Sequence, residues 1–173
     1  MKILIKNRQN QRRFNKTKIK RTARKILFLL TQPASDKSEL SILFVGNKEM
    51  HKLNADYRGI NKTTDVLSFP QVEFRVKKKT QNFKLKSSFP GLTPCPADAR
   101  HCSSLLLGDI VINVQKAAAQ VKITGTTFYE EIYRLLVHGI LHLLGYEHEK
   151  SSSMATAMRK KEKELLNAIK KMD

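Results

Sequence analysis

Tryptophan is absent from this chain of 173 residues, and cysteine occurs only twice. Cys95 and Cys102, with His101 between them, could in principle bind a second metal, but their spacing matches no compact zinc site, so we expect free thiols in a reducing cytosol. The sequence also lacks a run of about eighteen apolar residues, which a membrane-spanning helix would need. Its first residues lack the apolar core and the cleavage site of a signal peptide. We therefore expect a cytoplasmic protein without a membrane partner.

Acidic residues are scarce as well. Asp and Glu total 15 against 33 for Lys and Arg, which gives a formal net charge of +18 at pH 7. The first acidic residue is Asp36, which follows eleven basic residues among the first 25 positions. Such an excess favours nucleic acid as the partner, although a charge run can also be a solvated surface. A basic start is typical of organelle-targeting segments too, but residues 1–5 alternate as a strand does, which favours a part of the fold.

The hydrophobic content of 40% indicates a folded chain, and the length suits a single domain over residues 1–173. Periodicity and cap residues predict the order strand, helix, strand, helix, strand, strand, helix, helix, helix. After the first strand the predicted elements are a helix at 18–30, a strand at 40–45, a helix at 48–57 capped by Asn47, strands at 65–69 and 105–112, a helix up to 122 capped by Asn113, a helix at 127–144 that starts with the capping box Thr127 and Glu130, and a last helix from 151. This order is typical of an α+β domain in which one small mixed β-sheet packs with several helices.

The stretch 71–104 differs from its surroundings. It contains three successive lysines from Lys77, prolines at positions 90, 94 and 96, and no sustained hydrophobic period. Such a composition buries little apolar surface to offset the entropy of ordering. We predict a basic, mobile insertion here, which includes both cysteines and His101.

Histidine supplies the strongest chemical signal. Three of the five histidines, His138, His142 and His148, lie within eleven positions. Residues four apart on an α-helix differ by about 40° in direction and about 6 Å in height, so His138 and His142 project from one face. Gly145 can take the left-handed conformation that reverses the chain after a helix, which would return His148 to the pair. Three neutral imidazoles suit zinc with a fourth position open, so we predict a metal site at the C-terminal end of this core helix.

The other two histidines lack such neighbours. A lone histidine is usually an ordinary structural residue, which is how we interpret His51, while His101 is left undecided.

The metalloprotease motif H-E-x-x-H has a glutamate after its first histidine as the general base, but this chain has Gly139 there, which disfavours peptide hydrolysis. Glycine inside a helix costs about 1 kcal/mol relative to alanine. We therefore expect a substrate or a neighbouring strand to pass close to the backbone at Gly139.

Three segments, taken in their order along the chain, resemble one known family. They are N-A-D-Y-R ending at Arg58 with T-T-D-V-L-S-F-P at 63–70, then L-G-D-I at 107–110, and then Arg134 followed by H-G-I-L-H-L-L-G-Y-E-H at 138–148. Together they resemble the YbeY family of endoribonucleases that mature ribosomal RNA, over most of the chain from about residue 40. The histidine segment is the most distinctive of the three.

The resemblance implies a metal-dependent hydrolase that cleaves single-stranded RNA, with ribosomal RNA precursors and small ribosomal subunit proteins as partners. It also implies a role in maturing small-subunit ribosomal RNA and in ribosome quality control. One zinc ion per chain would bind to His138, His142 and His148. Arg58 matches the family's functional arginine, both catalytic and RNA-binding, near the metal in a pocket that residues 65–70 help to wall. A guanidinium there can hold phosphate oxygens and offset charge that develops during cleavage.

Other residues of these segments admit two roles. Glu147, where the family usually has aspartate, is a candidate catalytic residue. Arg134 lies one turn before His138 and is a candidate for RNA binding, with an ion pair to an acidic neighbour as the alternative. Without the resemblance, Asp65 would be a turn or cap residue. We interpret Asp109 as a hydrogen-bonded residue at the end of a strand.

Two classes of function stay open from the residues alone. One is the endoribonuclease, and the other is a non-catalytic, RNA-binding ribosome assembly factor with a structural zinc. An open coordination position with Arg58 nearby would favour the enzyme, whereas a fourth protein ligand would favour the factor. In the enzyme, either a water molecule or the substrate's own 2′-hydroxyl group could attack.

Overall fold

In the computed structural model of the protein, the described residues are 1–31, 38–71, 74–75, 84–85, 105–148 and 151–171. The strands are, in chain order, β1 Lys2–Asn7, β2 Ser38–Val45, β3 Val66–Pro70, β4 Phe74–Arg75, β5 Lys84–Leu85 and β6 Leu105–Asn113. The helices are α1 Lys16–Thr31, α2 Asn47–Arg58, α3 Val114–Thr124, α4 Phe128–Leu143 and α5 Ser152–Lys170. Apart from the short pair β4 and β5, this order is the predicted one.

Four strands form one mixed sheet in the order β1-β2-β6-β3. The pairs β1–β2 and β2–β6 are parallel, while β3 is antiparallel to β6 and forms an edge of the sheet. A parallel pair needs a crossover connection, and α1 supplies it between β1 and β2. The predicted α+β class with one small mixed sheet is confirmed.

Helices cover the two faces of this sheet unequally. On one face, α1, α4 and α5 pack with the sheet around a large apolar core. On the other face, α2 covers a smaller cluster formed by Val45, Met50, Leu67 and Val111. Most positions of α4 are buried, so α4 is the core helix of the domain. Among the described helices, none combines the length and the apolar character that a membrane crossing requires.

The predicted caps of α3 and α4 are confirmed, but that of α2 is wrong. Asn113 caps α3 with its side chain, and Thr127 forms a capping box with Glu130 at the start of α4. Asn47 is instead the first residue of α2, because its side-chain oxygen accepts a hydrogen bond from the Asn113 amide at 2.8 Å. Gly46 takes the N-cap position, without a side-chain bond to the helix.

The predicted insertion at 71–104 lies largely outside the described residues, as do Cys95, His101 and Cys102. Its described part includes β4 and β5, which pair antiparallel with each other. The mobility of the insertion stays a prediction.

Gly139 is where α4 comes very close to the sheet. A Cβ atom built at this position would lie 3.0 Å from Ile110 Cγ2 of β6 and 3.2 Å from Ser68 Oγ of β3. Of the two explanations for this glycine, a neighbouring strand is the one that the structure shows. Ile110 is fully buried, so it has little room to move. The missing side chain thus sets the distance between α4 and the two strands.

We predict that Gly139→Ala destabilises the fold. Alanine favours a helix by about 1 kcal/mol over glycine, but overpacking a filled core costs about 1–3 kcal/mol, so we expect a net loss of up to about 2 kcal/mol. Urea denaturation followed by circular dichroism measures this difference. In an Ile110→Val background, which lacks one crowding methyl group, the loss should shrink. A stability gain from Gly139→Ala alone would contradict the tight contact.

Candidate metal centre

His138 and His142 project from the same face of α4, as their spacing predicts. Their Nε2 atoms lie 3.1 Å apart, and the centroids of the two rings are separated by 4.6 Å. Both residues are half-buried, while most of their neighbours on α4 are buried. The packing of the helix therefore holds the two rings in place and leaves one side of each accessible.

Gly145 follows the end of α4 and returns the chain towards this pair. Its φ angle of 82° is left-handed, and its N–H donates a hydrogen bond to the His142 carbonyl at 3.0 Å. The His148 ring then lies 5.3 Å from the His138 ring and 5.0 Å from the His142 ring, between centroids. One ring nitrogen of each histidine lies within 4.8 Å of the other two.

The three imidazoles fit a divalent metal such as zinc. Two nitrogens at about 2.0–2.1 Å from a tetrahedral ion lie about 3.3 Å apart, and the separation of 3.1 Å between His138 and His142 is close to that value. Metal binding requires neutral imidazoles. Burial lowers the pKa of His142, and charge on His138 and His148 lowers it further, which favours the neutral ring. Among the described residues, no fourth Cys, His or carboxylate belongs to the group.

Glu162 of α5 supports the first of these rings. Its carboxylate lies 2.7 Å from His138 Nδ1, which fixes the tautomer and leaves Nε2 to face the metal position. Burial alone would raise the pKa of Glu162, but the hydrogen bond and the nearby positive charges lower it overall, so the carboxylate stays ionised. We did not predict this residue. One signal existed, because Glu162 falls on the inward stripe of α5 between Met158 and Leu165.

Arg134 is held by two carboxylates. Its guanidinium donates to Glu131 at 2.7–3.1 Å and to Asp65 at 3.2 Å. The bonds to Glu131, which is buried, raise the pKa of Arg134 despite the opposing effect of burial. Asp65 also accepts from the Val66 N–H at 3.0 Å, so it connects the start of β3 to α4. The ion-pair alternative describes the contacts of Arg134, and RNA binding by this residue stays a prediction.

Glu147 lies directly before the third histidine and is half-buried. Its negative charge acts to raise the pKa of His142, although burial has the larger and opposite effect. The carboxylate is therefore within electrostatic range of the histidine group. Its catalytic role stays a prediction.

Arg58 is the last residue of α2 and is exposed. Beside it, the Tyr57 ring meets the Phe69 ring of β3 edge-on at 5.1 Å between centroids. Arg58 and the histidines belong to helices that pack on opposite faces of the sheet, and the closeness of Arg58 to the candidate metal centre stays a prediction. Asp109 lies inside β6, opposite Phe69, and not at a strand end as we had expected, because β6 continues beyond it. His51 is exposed on α2, as an ordinary helix residue.

Comparison with known proteins agrees with this arrangement. A family model described as Endoribonuclease YbeY matches residues 4–170. A protein named Endoribonuclease YbeY from Clostridium beijerinckii is 37% identical over 174 residues, which cover 96% of each chain. One of the same name from Thermodesulfovibrio yellowstonii is 40% identical over 131 residues, which cover 76% of this chain and 67% of that one.

A solved structure shows a similar fold. The solution structure of TM1509 from Thermotoga maritima has a TM-score of 0.54 and 21% sequence identity, covering 95% of this chain and 86% of that one. The family model and the curated relatives extend over most of the sequence. The chain therefore belongs to the YbeY family of endoribonucleases.

Proposed function

We propose that this protein is a metal-dependent endoribonuclease specific for single-stranded RNA. It acts in the cytoplasm on ribosomal RNA precursors, in small-subunit maturation and ribosome quality control, together with small ribosomal subunit proteins. The observation that carries the proposal is a group of three imidazoles, the first of which is hydrogen-bonded to the Glu162 carboxylate, in a chain of this family. Three protein ligands are typical of catalytic zinc sites, which keep one position open. The net charge of +18 supports RNA as the partner.

The chain's own residues have separate tasks in this proposal. A zinc ion bound by the histidines would polarise a phosphoryl oxygen and offset the charge that develops on it. Glu162 keeps the His138 ring in the orientation that metal binding requires. Arg58 can hold two phosphate oxygens with its guanidinium. Since β3 is an edge strand, an RNA strand that crosses this edge could contact both the histidine side and Arg58.

We expect the purified, untagged protein to contain about one zinc ion per chain, because three imidazoles form a typical ligand set. Inductively coupled plasma mass spectrometry measures the occupancy. His142→Ala should lose most of the metal, whereas His51→Ala, which removes an exposed histidine of α2, should keep it. Full occupancy in His142→Ala would show that the ligand assignment is wrong.

Glu162→Gln should weaken zinc binding by about 10–100-fold, the usual effect of removing a partner that orients a metal ligand. Competition against a chelator of known affinity gives the dissociation constant. Glu164→Gln is the matched control, because it removes the same charge from the same helix but from a residue that pairs with Lys161. Equal zinc affinity of Glu162→Gln and the wild type would contradict the orienting role.

Arg58→Ala should slow the cleavage of single-stranded RNA about a hundredfold, a loss of about 3 kcal/mol in transition-state stabilisation. Its zinc content and melting temperature should not change, because the exposed side chain does not support the core. Lys52→Ala removes another exposed positive charge from α2 and serves as the control. Duplex RNA of the same sequence should be a poor substrate for all three proteins.

Two outcomes of this experiment would change the proposal. Equal rates for the wild type and Arg58→Ala at saturating RNA would remove Arg58 from the catalytic machinery. If the zinc-loaded wild type binds RNA without cleaving it, the alternative is favoured, in which the protein is a non-catalytic ribosome assembly factor with a structural zinc.

A further inference from the structure

The hydrogen bonds between β3 and β6 reveal which backbone groups of the edge strand point outward. At one end the Asn113 N–H donates to the Asp65 carbonyl at 2.8 Å, and at the other the Gln71 N–H donates to the Leu107 carbonyl at 3.1 Å. In an antiparallel ladder, residues that bond to the partner strand alternate with residues whose backbone groups point away from it. The outward-pointing residues of β3 are therefore Val66, Ser68 and Pro70.

Two of these three residues offer no free donor. The Val66 N–H donates to the Asp65 carboxylate at 3.0 Å, and Pro70 has no N–H group. In the described chain, no strand pairs with the outer edge of β3. Within the part of the chain that the structure describes, the Ser68 N–H is thus the single available donor that β3 presents along this edge.

Ser68 lies at the level of the candidate metal centre. Its Oγ atom is 3.2 Å from the position that a Cβ atom would take at Gly139, which directly follows His138 on α4. Ser68 itself is partly exposed. The side chain of Ser68 thus points towards α4, whereas its N–H lies in the plane of the sheet and points outward from the edge of β3, one residue along α4 from the level of His138.

We propose that the Ser68 backbone N–H binds a non-bridging phosphate oxygen of the RNA and so positions the scissile phosphodiester beside the histidines. Backbone N–H groups are common ligands of nucleic-acid phosphates. A peptide strand that added to this edge would need a row of donors and acceptors, which the Asp65 side chain and Pro70 interrupt. One isolated donor suits a single acceptor atom. The inference rests on the proposed RNA-cleaving function and assigns it a main-chain contact.

Ser68→Pro tests the contact, because it removes the N–H. An edge strand tolerates proline where its N–H points away from the ladder, and Leu67 already has the extended conformation that a following proline requires. We expect kcat on single-stranded RNA to fall about a hundredfold, with zinc content and melting temperature near those of the wild type. Ser68→Ala keeps the N–H and removes only the hydroxyl group, so the difference between the two variants measures the contribution of the N–H. A folded, zinc-loaded Ser68→Pro with the wild-type kcat would overturn the proposal.

A second measurement requires neither proline nor cleavage. The zinc-loaded wild type is titrated with a single-stranded 2′-O-methyl oligonucleotide and followed by amide NMR. We expect the Ser68 amide resonance to move and its hydrogen exchange to slow, while the Val66 amide, already bonded to Asp65, changes little. If resonances of α4 respond and the Ser68 amide does not, the proposal fails. If the Ser68 amide responds and the wild type cleaves no RNA, the contact stands and the enzymatic function fails instead.

Discussion

The contact between α4 and the sheet at Gly139 is the constraint on which the rest of the centre depends. Because no side chain separates the helix from β6 and β3 at this point, α4 lies close to the strands. His138 directly precedes Gly139 on α4, so the closeness of the helix to the strands also sets the position of the first histidine relative to the sheet. On the other side, α5 packs against α4 closely enough to bring Glu162 within 2.7 Å of His138. A larger residue in place of the glycine would shift the helix and alter both relations together.

Local patterns in the sequence predicted the parts of the centre that a single segment contains. His138 and His142 share a face because helix geometry fixes positions four apart, and Thr127 begins the helix through bonds to residues within its first turn. Gly145 reverses the chain by its own conformation. The order of the elements and the α+β class were also predictable, because hydrophobic period and caps are local properties.

The parts that depend on contacts between distant segments were not predictable in this way. Glu162 reaches His138 only through the packing of α5 on α4, and the Asp65 partner of Arg134 lies 69 positions away in the sequence. Asn47 failed as a cap for the same reason, because a side chain from another part of the chain takes its oxygen. The face of the sheet on which α2 and its last residue Arg58 lie likewise depends on packing between distant segments.

Strand β6 lies between β2 and β3 in the sheet but comes after both of them in the chain. β2 and β3 have β6 as their common neighbour and do not pair with each other. During synthesis from the N-terminus, β3 therefore has no partner in the sheet until residues 105–113 have been made, and pairing β6 with β2 closes a long loop at an entropic cost. The three histidines follow β6 in turn. A partly synthesised chain thus has neither the complete sheet nor the three histidines, and the candidate metal centre is assembled only at the same late stage as the sheet.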